Sequence, residues 1–438
     1  MLTAVAAAAA LIGLPAVTGS AAFAEAAPGP VVVSLTFDDG PLDQYQYGVP
    51  LLESHGMRGT FYVNSGRIGA TGYASQEDLA EMEANGHEIG GHTVDHADLP
   101  TLSADDQRRE ICDDRVALLN RGFQVKNLAY PFGDADATTM SIAQACGYNS
   151  ARGVGGIRSG HDCSGCPYTE VTPPTNMYLS RATSSVKTDT TFADMTNYVT
   201  NAENNGGGWV TFVLHHVCES ECGGVYTISP TLLNQFLDWL EPRADRGTIV
   251  KTLDQVIGGT VQPGVNGPTL PMEPGNLVPN PSLEAVGSAN LPSCYQLGGF
   301  GSNSFSWNRV TDAHTGGYAE QLDITNYTTG DRKLVMQQNT GGCSPHVTPG
   351  NKYRARVWYK GAWGPATQVR LVVYYRDSDQ VWKYWKTGPV LPTGETWQQS
   401  TDFVTPAVPA GATALSFGLA MTGRGSLVTD DYSLAVAP

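Results

Sequence analysis

Val31-Val32-Val33-Ser34-Leu35-Thr36-Phe37-Asp38-Asp39-Gly40-Pro41 is the stretch on which the fold of this chain turns. The apolar, β-branched run over 31–37 reads as a buried strand, and Gly40-Pro41 ends it. Two adjacent acids then stand at the strand's carboxyl end. Carboxylates this close repel each other unless a cation sits beside one of them, and a cation on one leaves the other available as a base. Similar short β-rich runs recur at 60–64, 87–90, 127–130, 149–152, 209–215 and 248–252. Helical patterns alternate with them at 76–85, at 104–121 after the cap Ser103, and at 230–240 after the cap Ser229, with Gly86 and Gly122 as helix stops. This alternation is that of an α/β fold with a parallel sheet and right-handed crossovers.

Downstream, His92-Thr93-Val94-Asp95-His96 sets two imidazoles four residues apart, a spacing that lets both reach one ion. With Asp39 they make three ligands. Two neutral nitrogens and one hard oxygen suit zinc or a similar divalent ion, and three protein ligands leave a position open, as catalytic sites require. Each piece alone has a plainer reading, the HxxxH as a surface or core pair and the Asp-Asp-Gly-Pro as a turn. Their order along the chain, with further motifs at strand ends, is what makes them a site.

The motifs Thr36-Phe37-Asp38-Asp39-Gly40-Pro41, Gly90-Gly91-His92-Thr93-Val94-Asp95-His96, Tyr130-Pro131-Phe132-Gly133 and Val213-Leu214-His215-His216 resemble those of the polysaccharide deacetylase family, the NodB-homology domain of carbohydrate esterase family 4. The resemblance runs over about residues 30–257. It implies an incomplete (β/α) barrel of about seven strands. It also implies Asp38 as catalytic base, Asp39, His92 and His96 as metal ligands, and His215 as catalytic acid. The third motif departs from the family's usual pattern, because Ala129 stands where an arginine normally orients the base. Arg152, on the following expected strand, either brings a guanidinium to the same carboxylate from another direction or is a solvated charge. The Asp-x-x-Asp-Trp motif that tends to accompany the family arginine is absent from the sequence.

The chemistry can be argued from residue types. A divalent ion lowers the pKa of water and polarises an acyl oxygen, so a neighbouring carboxylate such as Asp38 can complete the activation of the nucleophile. A histidine titrating near neutrality can protonate the departing amine or alkoxide. His215 ends the apolar run 209–214, and strand alternation lets only one of His215 and His216 face the site without saying which. For the oxyanion, Pro131 has no N–H, so the backbone amide of Phe132 is the donor to expect.

The chain has 438 residues, 41% hydrophobic and 16% charged, which excludes a disordered protein and exceeds what one core usually holds. Its formal charge of −16 gives no support to nucleic-acid binding. Residues 1–24, with an apolar run from Ala4 to Leu14 and Ala22-Phe23-Ala24 as an A-x-A site, read as a cleaved signal peptide rather than an anchor. The usual basic opening of such a leader is missing, since no Lys or Arg precedes Arg58, which suggests a start truncated at its amino end. No later segment is long and apolar enough to cross a bilayer. Eight cysteines fit an oxidising compartment, secreted or at a cell wall. Local bridges within Cys163–Cys166 and Cys218–Cys222 are expected rather than a zinc knot, with Cys112 joined to Cys146 and Cys294 to Cys343.

The catalytic domain is expected over 25–260 and a Gly/Pro-rich linker over 261–275. From 276 to 438 short alternating strands read as a β-sandwich. Its two ends resemble those of jelly-roll carbohydrate-binding modules, by which Glu284 and Asp431 would hold a structural calcium; the alternative is edge-strand charges. Trp382, Tyr384 and Trp385 are candidate sugar platforms, although alternation places Trp385 opposite the other two, so at least one face belongs to a core. The expected partner is a polysaccharide and the expected state a monomer. Three readings follow: a secreted N-deacetylase of GlcNAc-containing glycans such as chitin or peptidoglycan, an acetylxylan-type O-deacetylase, and a non-catalytic carbohydrate-binding wall protein.

Overall fold

The structure is a computed structural model that describes residues 29–160, 163–219, 222 and 224–438. The expected leader over 1–24 lies outside the described residues. Seven parallel strands build the first half: β1 (Val31–Phe37), β2 (Thr60–Val63), β3 (Glu88–Gly91), β4 (Asn127–Ala129), β5 (Ser150–Gly156), β6 (Ser180–Ala182) and β7 (Gly208–Leu214). They pair in chain order, and β7 pairs with β1 along its whole length. Between β6 and β7 the ring is bridged by Thr183 N–H donating to Thr211 O at 2.8 Å and Val186 N–H donating to Val213 O at 2.8 Å. The result is a nearly closed barrel. Its strands are apolar on both faces because helices cover the outside, and Leu35, Phe37, Phe61, Ile89, Leu128, Phe212 and Leu214 are buried in one core.

The short strands β8 (His216–Val217) and β9 (Thr227–Ile228) form a separate parallel pair beyond the end of β7. The segment expected as the last strand, β10 (Thr248–Val250), pairs only with residues 31–33 of β1. The barrel's remaining position is taken by β6, which the sequence reading missed, because Ser-Arg-Ala offers no apolar run. The helix Pro230–Leu240 is where its cap placed it, with Ser229 Oγ accepting from Leu232 N–H at 3.1 Å. The long helix expected over 104–121 is present, running without a break through Ala104–Arg108, a wider i+5 turn over Arg109–Asp113, and Asp114–Asn120. The helix Phe192–Asn204 was legible and unread: Thr191 and Asp194 form a capping box, and Met195, Tyr198, Val199 and Ala202 face the core.

The carboxyl-terminal half is a sandwich of antiparallel sheets. Its strands are β11 (Tyr295–Phe300), β12 (Asn303–Val310), β13 (Ala319–Tyr327), β14 (Asp331–Met336), β15 (Lys352–Trp363), β16 (Gln368–Arg376), β17 (Trp382–Leu391), β18 (Gly394–Gln399), β19 (Phe403–Val404), β20 (Ala414–Thr422) and β21 (Gly425–Ala437). One sheet runs β11-β14-β20-β16-β17 and the other β12-β13-β21-β15-β18, with β19 also on β15. Leu334, Leu371, Val373, Phe417 and Leu419 of the first meet Val357, Tyr359, Leu427, Tyr432 and Leu434 of the second in a common core.

Between the halves, residues 258–273 form no helix or strand, yet they are not free of the barrel. Arg115 donates to Gln262 O at 2.8 Å and Pro263 O at 3.1 Å, and Gly267 N–H donates to Asp113 Oδ1 at 2.8 Å. The four disulfides are Cys112–Cys146, Cys163–Cys166, Cys218–Cys222 and Cys294–Cys343, the expected pairing. They fit an oxidising environment. Among the described residues no helix is long and apolar enough to cross a membrane.

Candidate active site

β1 delivers its two acids to one end of the barrel in different directions. Asp39 and Gly40 both have left-handed backbones (φ 74° and 71°), so the chain turns between the carboxylates instead of leaving them side by side. Asp38 is buried and forms an ion pair with the equally buried Arg152 of β5. Arg152 also donates to Gly153 O at 2.9 Å, and its guanidinium lies 5.1 Å from the centre of the Tyr62 ring. Burial opposes ionisation of Asp38, but the charges of Arg152, His92 and His215 outweigh it and hold the carboxyl below its ordinary range. Arg152 is therefore no solvated surface charge.

Asp39 points to the imidazoles. Its Oδ1 is 3.6 Å from His92 Nε2 and 3.3 Å from His96 Nε2, and the two rings are 4.8 Å apart at their centres. His92 Nδ1 lies 2.8 Å from Ala129 O, so this nitrogen carries the proton and Nε2 presents its lone pair. Asp39 Oδ1 is buried and has no hydrogen-bond partner. Arg67 Nη1 lies 4.0 Å from the same oxygen. A carboxylate oxygen without a hydrogen bond beside two imidazole nitrogens has the donor chemistry of a divalent-cation site, and these residues fit one.

His215 and His216 separate as strand alternation requires. His215 is largely buried and its ring is 5.1 Å from Tyr226; burial, the largest influence, lowers its pKa, against the charges of Asp38 and Asp39. His216 turns the other way to Asp43, Nδ1 to Oδ2 at 2.6 Å. Asp43 Oδ1 also accepts from Val217 N–H at 2.9 Å. Phe132 has φ 58°, an uncommon value for an aromatic residue, and its exposed ring lies 4.6 Å from that of His96.

Two residues that sequence reasoning missed hold this end together. Buried Gln44 donates from Nε2 to Asp38 O at 2.6 Å and to His215 O at 2.8 Å, bridging the ends of β1 and β7. Asp114 accepts from Ser65 N–H at 2.9 Å and His92 N–H at 3.2 Å. Neither has a signal in a single sequence, since each acts on backbone atoms of distant residues.

Residues 25–151 match the family described as polysaccharide deacetylase. Over this stretch the chain is similar to polysaccharide deacetylases. Among similar proteins, the chitin deacetylase of Pestalotiopsis sp is 33% identical over 121 residues, covering 27% of this chain and 40% of that protein. The chitin deacetylase of Colletotrichum lindemuthianum is 32% identical over 122 residues, covering 27% of this chain and 49% of that protein. The chain thus spans under half the length of these relatives. Among solved structures, the Xyl-CE4 domain of a multidomain xylanase from the hindgut metagenome of Trinervitermes trinervoides aligns with a TM-score of 0.37 at 19% identity, over 54% of this chain and 95% of that one.

In the second half the sequence candidates disperse. Glu284 Oε1 accepts from Gly317 and Tyr318 N–H, both at 3.0 Å, while Asp431 accepts from Thr315 Oγ1 and pairs with His314 Nδ1, each at 2.5 Å. Both carboxylates pin the turn over 314–318, and no three-donor group among the described residues includes either. Of the aromatic cluster only Tyr384 is well exposed, at 58%. Trp385 packs on Tyr375 against the sandwich core, and Trp382 covers the Arg376 guanidinium. Trp382 and Tyr384 pair with Arg376 and Tyr374 while Trp385 turns to the core, so the cluster alternates as expected and Trp385 is corrected from a sugar platform to a packing residue.

Two outcomes follow. Arg152→Leu leaves ionised Asp38 buried without its guanidinium and is expected to lower stability by about 3–5 kcal/mol in urea unfolding, with Asp38→Asn in the same chain recovering most of the loss. The Asp43 hydrogen bond, the first cause, raises the His216 pKa. The bond's contribution is then complete below the unfolded histidine range and disappears as pH rises through the raised value. His216→Ala should therefore cost about 1–2 kcal/mol near pH 5 and progressively less above neutrality, read as the difference between parent and variant unfolding midpoints.

Proposed function

We propose that this chain is a metal-dependent polysaccharide deacetylase, secreted through its leader, that hydrolyses N-acetyl groups of GlcNAc-containing glycans such as chitin or peptidoglycan. One observation carries the reading: Asp39 Oδ1 accepts no hydrogen bond and faces His92 and His96, with Arg67 at 4.0 Å and with Asp38 next to it in the chain and ionised against Arg152. Asp39, His92 and His96 would hold a divalent cation, with zinc the best match to two nitrogens and one oxygen, and the bound ion would acidify water and polarise the acetyl carbonyl.

The remaining work falls to side chains and backbone. Asp38 is the base that accepts the proton of the attacking water, and Arg152 holds its carboxylate ionised and oriented. His215 is the acid that protonates the departing nitrogen. Burial favours its neutral ring and the charges of Asp38 and Asp39 pull the other way, so the proton that Asp38 takes from the water is the one that passes through His215 to the nitrogen, and both groups end as they began. The Phe132 N–H meets the developing oxyanion at the turn after β4. The exposed Phe132 ring beside His96 offers a sugar a flat apolar face. The reading of the barrel as a binding protein without activity arose from the alanine at 129, and the Asp38–Arg152 pair weakens it.

For polymer retention, the outer face of the β11-β14-β20-β16-β17 sheet carries a cleft of about 470 Å³ lined by Phe300, Lys333, Arg370, Tyr374 and Tyr384. Phe300 and Tyr384 are 66% and 58% exposed, which suits stacking on pyranose rings. This makes Tyr384 the one member of the sequence-predicted cluster kept as a sugar contact.

Asp38→Asn is expected to lower acetate release from chitooligosaccharide or peptidoglycan by at least ~100-fold with bound metal unchanged, whereas Asp39→Ala loses the metal as well. Chelation should abolish turnover and a divalent ion restore it. A folded, metal-loaded parent that releases no acetate from these glycans or from acetylated xylan would refute the proposal, and release from xylan alone would favour the O-deacetylase. Separately, Tyr384→Ala should weaken retention on the insoluble polymer roughly fivefold while leaving turnover of short soluble substrates intact.

A further inference from the structure

The five-residue loop that carries both imidazoles is built from unfavourable backbone. Thr93 and His96 have φ of 68° and 61°, left-handed values that non-glycine residues keep only where surrounding contacts fix them. Most of those contacts come from the barrel. Asn64 Nδ2 donates to His92 O at 2.5 Å, Gly66 N–H to Val94 O at 3.2 Å, Val94 N–H to Glu110 O at 3.2 Å, and Asp95 N–H to Glu110 Oε2 at 3.0 Å.

The side chain of Asp95, between the two ligands, is held from elsewhere. Thr340 of the β-sandwich donates to Asp95 Oδ1 twice, from its backbone N–H at 2.7 Å and from its hydroxyl. The two residues are 245 apart in the chain. Thr340 is itself well fixed. Buried Arg376 donates to Asn339 O at 2.8 Å, Gln338 N–H donates to Gln296 Oε1 at 2.7 Å, Ser344 Oγ donates to Gln337 O at 2.7 Å, and the Cys294–Cys343 bridge closes the segment. Packing is tight on both sides: a Cβ added to Gly341 would stand 3.1 Å from Asp95 Oδ2 and 3.2 Å from Val94 Cγ1.

We propose that the sandwich is a working part of the metal site, with Thr340 as a positioning residue that holds Asp95 and through it the spacing of His92 and His96. This rests on the metal reading above. The geometry at stake is the approach of the two imidazoles to Asp39 Oδ1, and groups that orient ligands from behind are worth ~10–100-fold in metal affinity. Thr340 touches neither substrate nor ion; it acts by restricting a strained loop.

The test uses the full chain. Thr340→Val removes the hydroxyl donor and should weaken zinc or cobalt binding about tenfold by competition with a chromophoric chelator, and should speed amide hydrogen exchange at Val94–His96. Thr340→Ser, which keeps the donor, should match the parent in both. Asp379→Ala breaks a different contact between the halves, Thr71 Oγ1 donating to Asp379 Oδ1 at 2.5 Å, and should leave metal affinity unchanged. Parent-like affinity in Thr340→Val, or an equal loss in Asp379→Ala, overturns the positioning role. A parent that binds no metal defeats the metal reading instead; exchange then decides the loop claim, and an unchanged rate in Thr340→Val overturns it.

Discussion

Two consecutive carboxylates at one strand end cannot both be ionised and buried without separate cationic partners, and the amino-terminal half is arranged around that constraint. The left-handed turn at Asp39-Gly40 parts the acids. Asp38 then meets a guanidinium from β5, four strands further along the sheet, while half-buried Asp39 faces the imidazoles of the loop after β3 and has Arg67 Nη1 at 4.0 Å as its cation. Only a strongly curved sheet brings β1 and β5 within reach of one ion pair. Closure of the ring through β6 and β7 is thus tied to the electrostatics at its end as well as to core packing.

The parts that hold this arrangement are polar, buried and long-range. A buried ion pair such as Asp38–Arg152 is weak evidence of stability, because desolvation offsets most of its attraction. What it provides is a fixed charge state in a place where water would otherwise set it. Gln44 does the same for position by bonding the carbonyls of Asp38 and His215, so that the ends of β1 and β7 keep one separation. Ala129 O sets the His92 tautomer and Asp43 removes His216 from competition with His215. Each donor or acceptor is used by a neighbour whose chemistry it limits, which is what a preorganised site requires.

How much of this could be read from residues depends on how locally each feature is encoded. β1 was legible because its burial makes an uninterrupted apolar run, and the bridges Cys163–Cys166 and Cys218–Cys222 were legible from their tight spacing. The HxxxH spacing was legible as two imidazoles converging on one point near Asp39, but not the strained backbone of the loop. Arg152 stayed ambiguous because its partner lies 114 residues away, and nothing near Arg152 distinguishes a buried guanidinium from a solvated one. β6 was invisible because three residues held by a barrel edge need no apolar pattern of their own. The Trp382-Tyr384-Trp385 cluster was legible as two faces of one strand, with one face turned to the core, but not how far each ring stays open to solvent, since that depends on the neighbouring strand.

The contact between Asp95 and Thr340 depends on how the two halves are joined. On a flexible linker, a pair of hydrogen bonds would have to overcome the entropy of bringing one body to the other, and would be made only part of the time. Here the connecting segment is itself bound. Arg115 grips the carbonyls of Gln262 and Pro263, Asn149 Nδ2 donates to Gly258 O at 3.1 Å, and Arg109 donates to Pro268 O at 3.3 Å. A linker pinned at several points leaves little chain free, which raises the effective concentration of the 339–341 loop at Asp95. The glycine and proline content that stops the segment forming helix or strand also leaves its carbonyls open to these arginines. The composition that marks a domain boundary in the sequence therefore works, in the folded chain, as an attachment that lets one half steady a loop in the other.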